Sequence, residues 1–301
     1  MTNPASWRPR TLGLLCLLLG AVLFSTKAVL IKLAYQYEVS SISLLGLRMI
    51  FSLPVFLLIG YFRGKRRSVG DARFPRDYLY VVALGVLGYY LASYTDFLGL
   101  QYLTAGMERV ILFTYPTVVL ILERLLFGTR IRRVQWAATF LCYLGIVIAF
   151  SGSDLSQGTN FLRGAGLVFL GGVCYAGYVI GSGRLAPRMG NARFTSLALS
   201  TAACAVILHV ALSDEPLFGL HRMVYSYAAI MALFSTVIPS YLMTAGIQRL
   251  GAGDAAIVGA VGPVATVVLE YYLLGETMSV LQACGAVVIV LGVVMIGTSK
   301  G

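Results

Sequence analysis

GLQYLTAG at 99–106 returns as GIQRLGAG at 246–253, an offset of 147 residues. The same offset carries Tyr94 onto Tyr241, Pro116 onto Pro263, Glu123 onto Glu270, Gly128 onto Gly275, Gln135 onto Gln282 and Gly145 onto Gly292. No gap is needed from Ser93 to Ala149. Shared apolar letters carry little information in an apolar chain, but proline, glutamate, glutamine and several glycines in one register do. Upstream the correspondence is weaker: LGAVLF at 19–24 faces LGGVCY at 170–175. The chain therefore reads as two copies of one unit, 1–155 and 156–301.

What each copy is made of follows from composition. Of 301 residues, 58% are hydrophobic and 12% are charged, and the mean hydropathy is +0.85. The charged share is about half that of an ordinary soluble domain, too little to cover a core of this size with polar surface. Composition excludes a disordered chain, a secreted disulfide scaffold and a conventional soluble enzyme. Ten apolar segments are long enough to span a bilayer, at about 20 residues each: 12–33, 42–62, 78–98, 104–123, 131–150, 163–183, 194–212, 225–247, 253–273 and 279–297. The expected fold is an all-α integral membrane protein with ten transmembrane helices. Each copy holds five of them, an odd number, so the second copy must cross in the opposite sense. Inverted repeats of this kind characterise secondary transporters. The first apolar run is too long for the core of a cleavable signal peptide.

Charge sets the orientation. Seventeen of the 23 Lys and Arg residues fall on one side, including Arg63, Lys65, Arg66, Arg67, Arg73 and Arg76 after the second segment; Lys32, Arg163 and Arg222 fall on the other. Cytoplasmic loops are rich in such residues, which places both termini in the cytoplasm. The net charge of +11 is thereby a topology signal, and no nucleic-acid partner is expected. The five cysteines lie inside apolar segments without C-x-x-C spacing and read as buried thiols. GAGDAA at 251–256 fits a dinucleotide-loop pattern but joins two membrane segments instead of a strand and a helix. No Walker A motif, H-E-x-x-H or G-x-S-x-G is present. ATP-driven transport by this chain alone and catalysis are not expected, and neither a cofactor nor a metal is implied.

Ionisable groups in membrane helices are costly and face a cavity or a partner. Lys27, Arg48, Glu108 and Arg109 are the main candidates for a substrate site. Arg48 either binds a carboxylate or ties its helix to a neighbour. Lys27 either serves the cavity or snorkels outward. Glu108 suits the positive end of a helix that Thr104 could cap. Adjacent helical residues diverge by about 100°, so Glu108 and Arg109 are not expected to pair. Arg109, Phe113 and Pro116 share a face at i, i+4 and i+7, expected to line the cavity. Pro116 and Pro263 are expected to interrupt their helices at matched places, a pointer to a transport site. Tyr90 and Tyr94 share one helical face and Tyr175 and Tyr178 another; Tyr94 and Tyr241 gain weight from their repeat match. Asp96, Glu270 and His209 lie near helix ends, where solvation would suffice for them.

The segments LGLRMIFSLP (45–54), LQYLTAG (100–106) with Tyr115-Pro116, IQRLGAGDAAIVGAVGPV (247–264) and LLGETMS (273–279) resemble the ten-helix EamA-type family of the drug/metabolite transporter superfamily, over nearly the whole chain. Gly128-Thr129 departs from the Gly-Glu pair usual after the fourth helix, whereas Gly275-Glu276 keeps it. The resemblance implies a ten-helix bundle, a central cavity between the repeats, and export or exchange of a small metabolite across a bacterial inner membrane. The formal charge of Lys27, Arg48, Arg109, Asp96 and Glu108 together is +1, which favours an anionic or zwitterionic substrate, such as an amino acid, over an organic cation. A lipid-linked flippase and a drug exporter are the alternatives. Protons are a candidate coupling ion through a carboxylate such as Glu108, with facilitated diffusion the other possibility; oligomeric state is left open.

Overall fold

A computed structural model describes residues 7–64, 75–151, 160–274 and 279–299. The boundary at 155/156, the basic cluster Lys65–Arg73, Gly275-Glu276 and Lys300 lie outside the described residues. Ten apolar helices follow one another: α1 Trp7–Tyr35, α2 Ser41–Gly64, α3 in three parts (Pro75–Gly85, Val86–Leu91, Ala92–Gly99), α4 in two (Ala105–Leu112, Tyr115–Phe127) and α5 Arg133–Phe150. The second half repeats the series: α6 Phe161–Met189, α7 Asn191–Ala211, α8 in three parts (Arg222–Ala232, Leu233–Val237, Ile238–Leu250), α9 in two (Ala252–Val258, Val261–Leu274) and α10 Val280–Thr298. Among the described residues nine helices are long and apolar enough to cross a membrane, and the shorter α5 is the tenth apolar helix.

The irregularities repeat with the sequence. The break in α4 between Leu112 and Tyr115 and that in α9 between Val258 and Val261 differ by the 147-residue offset to within one residue. Pro116 stands in the first turn of the helix restarting at Tyr115, where its missing N–H leaves no hydrogen bond unmade. Both α3 and α8 contain a π-helical turn, beginning at Val86 and Leu233, again 147 residues apart. Periodicity could not announce these turns, because one extra residue in a buried helix leaves no polar mark. Capping repeats too. Gln135 Oε1 accepts from the Arg132 backbone N–H at 2.9 Å, and Gln282 Oε1 accepts from that of Ser279 at 2.8 Å. The matched glutamines therefore close the exposed amides that open α5 and α10.

The halves also pack as mirrors of one another in contact pattern. At the α5–α10 crossing, a Cβ on Gly145 would lie 2.6 Å from the Gly285 carbonyl, and one on Gly292 would lie 2.9 Å from that of Ala138. Gly145 and Gly292 are equivalent, as are Ala138 and Gly285. Between them the Cys142 thiol meets the carbonyl of its own equivalent, Ile289, at 4.0 Å. Small residues matter here because a bilayer gives helices no hydrophobic reason to associate, so close backbone approach supplies the attraction.

Helix ends differ from expectation on the basic side. α6 runs six residues past its expected end at 183, so Arg184 and Arg188 lie in the helix and only Gly190 separates α6 from α7. Apolar windows stop where charge begins, but the helical hydrogen bonds continue into the interface. There Arg184 stacks on the Phe127 ring, 3.3 Å from its centroid.

Candidate functional site

A buried cavity of about 70 Å³ lies between α1, α3, α4, α6, α8 and α9. Its lining pairs repeat-equivalent positions: Phe24 with Tyr175, Asp96 with Met243, and Leu112 with Gly259. The cavity therefore sits where the two halves meet. It would hold a few waters and is well below the ~300 Å³ of a typical ligand pocket. A ligand of ordinary size would fit only if the cavity widened.

The charged groups come from the first half alone. Lys27 Nζ donates to Asp96 Oδ2 at 2.6 Å, with both side chains almost fully buried. Lys27 also lies 5.6 Å from the centre of the Phe24 ring. Arg109 Nη2 donates to the Phe24 carbonyl at 3.2 Å, and its Nε lies 3.0 Å from Glu108 Oε2. The latter contact is close but poorly aligned, leaving Arg109 Nε and both Glu108 oxygens without a hydrogen bond. In the second half, the equivalents of Lys27, Asp96 and Arg109 are Tyr178, Met243 and Ala256. The first-half wall carries all the charge, beside Phe24, Tyr89 and Tyr115, and the facing wall is uncharged.

Several expected arrangements change. Asp96, expected to be solvated, is 1% exposed and paired with Lys27 of α1, which proximity to a helix end does not reveal. Lys27 does not snorkel, because Asp96 supplies its partner inside the bundle. Glu108 and Arg109 do come together; long side chains bend toward each other across the divergence of their Cβ atoms where burial leaves no water to prefer. Thr104 caps α4 as expected, accepting from the Met107 N–H at 3.2 Å.

The expected Arg109–Phe113–Pro116 face does not survive as a unit. The break at 113–114 resets the helical phase, so Arg109 and Tyr115 line the cavity. Phe113 turns into aromatic packing with Tyr115 and Tyr143.

Arg48 is 1% exposed and lies behind the cavity wall, 4.8 Å from the Phe97 ring centre, with Nε and Nη2 unpartnered. Tyr175 lines the cavity, whereas Tyr178 is packed edge-on to Tyr89 with ring centroids 4.9 Å apart. Tyr90 and Tyr94 leave the cavity for His209: the Tyr90 hydroxyl lies 3.1 Å from Nδ1, and the Tyr94 ring centre lies 4.8 Å from the imidazole. Tyr241 bonds Ser196 at 2.6 Å on α7. Among the described residues no group of three or more His, Cys, Asp or Glu could hold a metal.

Sequence reasoning missed two features. Tyr89 and Tyr115 line the cavity, and Tyr115 donates to the Ala256 carbonyl at 3.0 Å. Asp254, inside the dismissed GAGDAA stretch, is 5% exposed and gathers Arg132, Gln135 at 2.9 Å and Arg10 at 3.5 Å. A charge in the first turn of a helix, opposite a basic loop, was the available signal for it.

The sequence model of the EamA-like transporter family matches residues 11–151 and again 162–298. The chain belongs to the EamA-like transporter family. It is similar to the uncharacterized transporter YcbK of Bacillus subtilis (strain 168), with 30% identity over 94% of this chain and 93% of that one. It is also similar to the uncharacterized inner membrane transporter YedA of Escherichia coli (strain K12), with 29% identity over 66% and 64%. A crystal structure of 20% identity shares the fold, with a TM-score of 0.74 over 95% of this chain and 96% of that one. The protein is thus a membrane transporter by family.

Proposed function

We propose that this transporter is a secondary carrier exporting a small amphipathic zwitterion, of the amino-acid class with an apolar side chain, by alternating access. The carrying observation is the division of the cavity: Lys27, Asp96 and Arg109 on the first-half wall, Tyr175 and Met243 opposite. A substrate carboxylate would meet Lys27 and Arg109, its ammonium group Asp96, and its apolar side chain the second half. Each substrate charge would then replace one already compensated inside the protein, which limits the desolvation penalty of burying it. Repeat-matched helix breaks beside the cavity give each half a place to bend. The basic loops support a cytoplasmic placement of both termini, and the relative YedA carries "inner membrane" in its name.

The test is thermal stability of the purified protein against amino acids, organic anions, nucleosides and organic cations, followed by counterflow in proteoliposomes. A ligand at a hundredfold excess over Kd stabilises the folded state by about 2.7 kcal/mol. Apolar amino acids should stabilise it and show saturable counterflow; stabilisation by organic cations alone sinks the zwitterion reading. A lipid-linked flippase is the second reading. It draws on an apolar groove of about 540 Å³ between α3, α4 and α6, lined by Leu84, Leu122 and Leu126 with Arg184 and Arg188 at its basic end. That groove and the cavity share no lining residue, which ranks this reading second.

A further inference from the structure

α3 and α4 both pack on α6, and the space between them forms the apolar groove of about 540 Å³. α3 approaches α6 through glycine: a Cβ on Gly181 would collide with Leu84, and one on Gly177 would lie 3.0 Å from Leu87. The groove opens outward, with Tyr80, Leu126 and Phe127 exposed along it. Its length matches one leaflet. On α3 the lining runs from Asp77 to Leu87, and on α6 from Arg188 back to Gly177, a rise of about 15–17 Å at 1.5 Å per residue. Half of a ~30 Å hydrocarbon core is about 15 Å.

The mouth is basic. Arg184 and Arg188 are exposed there, and neither takes part in an ion pair among the described residues. Arg184 is already ordered by stacking on Phe127. A guanidinium stacked by its face keeps the N–H donors along its edge available to a phosphate. Two acids could compete. Asp77 lies in the first turn of α3, where the helix dipole favours a carboxylate. Glu123 turns to α9, its Oε2 3.2 Å from where a Cβ on Gly253 would stand. Two arginines against one lining carboxylate leave the mouth with an excess of positive charge. The Lys and Arg distribution assigns this end to the cytoplasmic side, where basic pockets between membrane helices recognise lipid phosphates.

We propose that this groove is the seat of one resident anionic glycerophospholipid of the cytoplasmic leaflet. Its phosphate sits on Arg184 and Arg188, and one acyl chain runs between α3 and α4 to the π-helical turn that begins at Val86. The lipid is a structural component and not cargo. This seat is independent of the zwitterion reading, since the groove and the cavity share no lining residue. The apolar lining accepts any acyl chain; the arginines supply the choice of headgroup. Within the π-helical turn Leu87 faces the seat, whereas Gly88 and Tyr89 line the cavity. An occupied seat therefore braces the wall between the two from the bilayer side.

The experiment offers the detergent-purified full chain equimolar synthetic phosphatidylglycerol and phosphatidylethanolamine, and counts retained lipid by native mass spectrometry. Wild type should retain one phosphatidylglycerol in preference to phosphatidylethanolamine, and unfold at a higher temperature with it. The double variant Arg184→Gln, Arg188→Gln should lose that preference severalfold. Ala83→Phe, which fills the groove and keeps both arginines, should lose retention of either lipid. Arg222→Gln, an exposed arginine at the start of α8, should behave as wild type. No retained lipid in wild type, a wild-type preference for phosphatidylethanolamine, or retention unchanged in both groove variants overturns the proposal. Fluorescent phosphatidylglycerol in proteoliposomes separates a resident lipid from cargo. Flipping no faster than in protein-free liposomes is expected, and faster flipping overturns the resident seat in favour of the flippase reading. Should the groove variants fail to fold, phosphatidylglycerol with a photoreactive acyl chain decides on wild type. Crosslinks confined to α3, α4 and α6 around Leu84, Leu87 and Leu122 sustain the seat; crosslinks spread over the bundle overturn it.

Discussion

Phe24 and Tyr175 hold equivalent places in the two halves and face each other across the cavity, with ring centroids 6.2 Å apart at 39°. Each ring is contributed by the first helix of its own repeat, so the pair marks where the two halves meet across the cavity. Both rings line the cavity and narrow it.

Trimming one ring should therefore change size selection. Tyr175→Ala is expected to admit bulkier zwitterions as competitors in counterflow, while weakening the smallest by severalfold in KM. The check is a competition series graded by side-chain volume. Unchanged selectivity would show that the rings are packing residues only.

The Lys27–Asp96 pair should behave as a buried ion pair. Removing one partner, in Lys27→Met or Asp96→Leu, leaves an uncompensated buried charge and should cost about 3–5 kcal/mol. Removing both should restore much of that stability, because two apolar side chains need no partner. Transport should remain lost in the double variant. Thermal unfolding of the three variants in nanodiscs measures the cycle.

Asp254 joins α9 to Arg132 at the start of α5 and to Arg10 of α1, which fastens one end of the bundle. Its repeat equivalent is Met107, and that of Arg132 is Ser279, so the opposite end has no such ionic fastening at the corresponding place. Asp254→Ala should loosen the fastened end selectively. In a cysteine-free background carrying Ser25→Cys at the cavity, maleimide labelling from that end should rise severalfold, and labelling from the other end should not rise.

At Gly145 the α5–α10 crossing leaves no room for a side chain. Gly145→Leu places new atoms against the Gly285 carbonyl and should destabilise the protein by about 1–3 kcal/mol or more. Gly166→Leu, where a Cβ meets nothing within 4 Å, should be neutral by comparison. The difference in unfolding temperature of the two variants is the measurement.

The ten helices and their two-fold repetition were readable because both leave linear traces. Bilayer thickness demands about 20 apolar residues at a stretch, and duplicated packing demands the same glycine, proline and glutamine at the same offset. The breaks in α4 and α9 were readable for a related reason: Pro116 and Pro263 cannot continue a helix unnoticed. Lys27, Arg109 and Tyr175, which line the cavity, stood out in the sequence because charge, or a pair of tyrosines on one face, is conspicuous in an apolar helix. Asp96 was passed over since its distance along its own helix said nothing of Lys27 on α1, its partner. Phe113 was misplaced since a constant 100° step was carried across a break that resets it.

By itself, then, the sequence determined the fold class, the number of crossings, the repeat and the family resemblance, all of which depend on composition and spacing along one dimension. Only the tertiary structure decided that all three charges on the cavity wall belong to one half, that Lys27 pairs with Asp96, and that Tyr90 and Tyr94 face His209. It also decided that Arg48 and Glu108 are buried with nitrogen and oxygen atoms unpartnered. Those facts depend on which helices become neighbours and at what rotation. Close packing between helices sets that rotation, and an apolar face of similar residues all round carries almost no record of it.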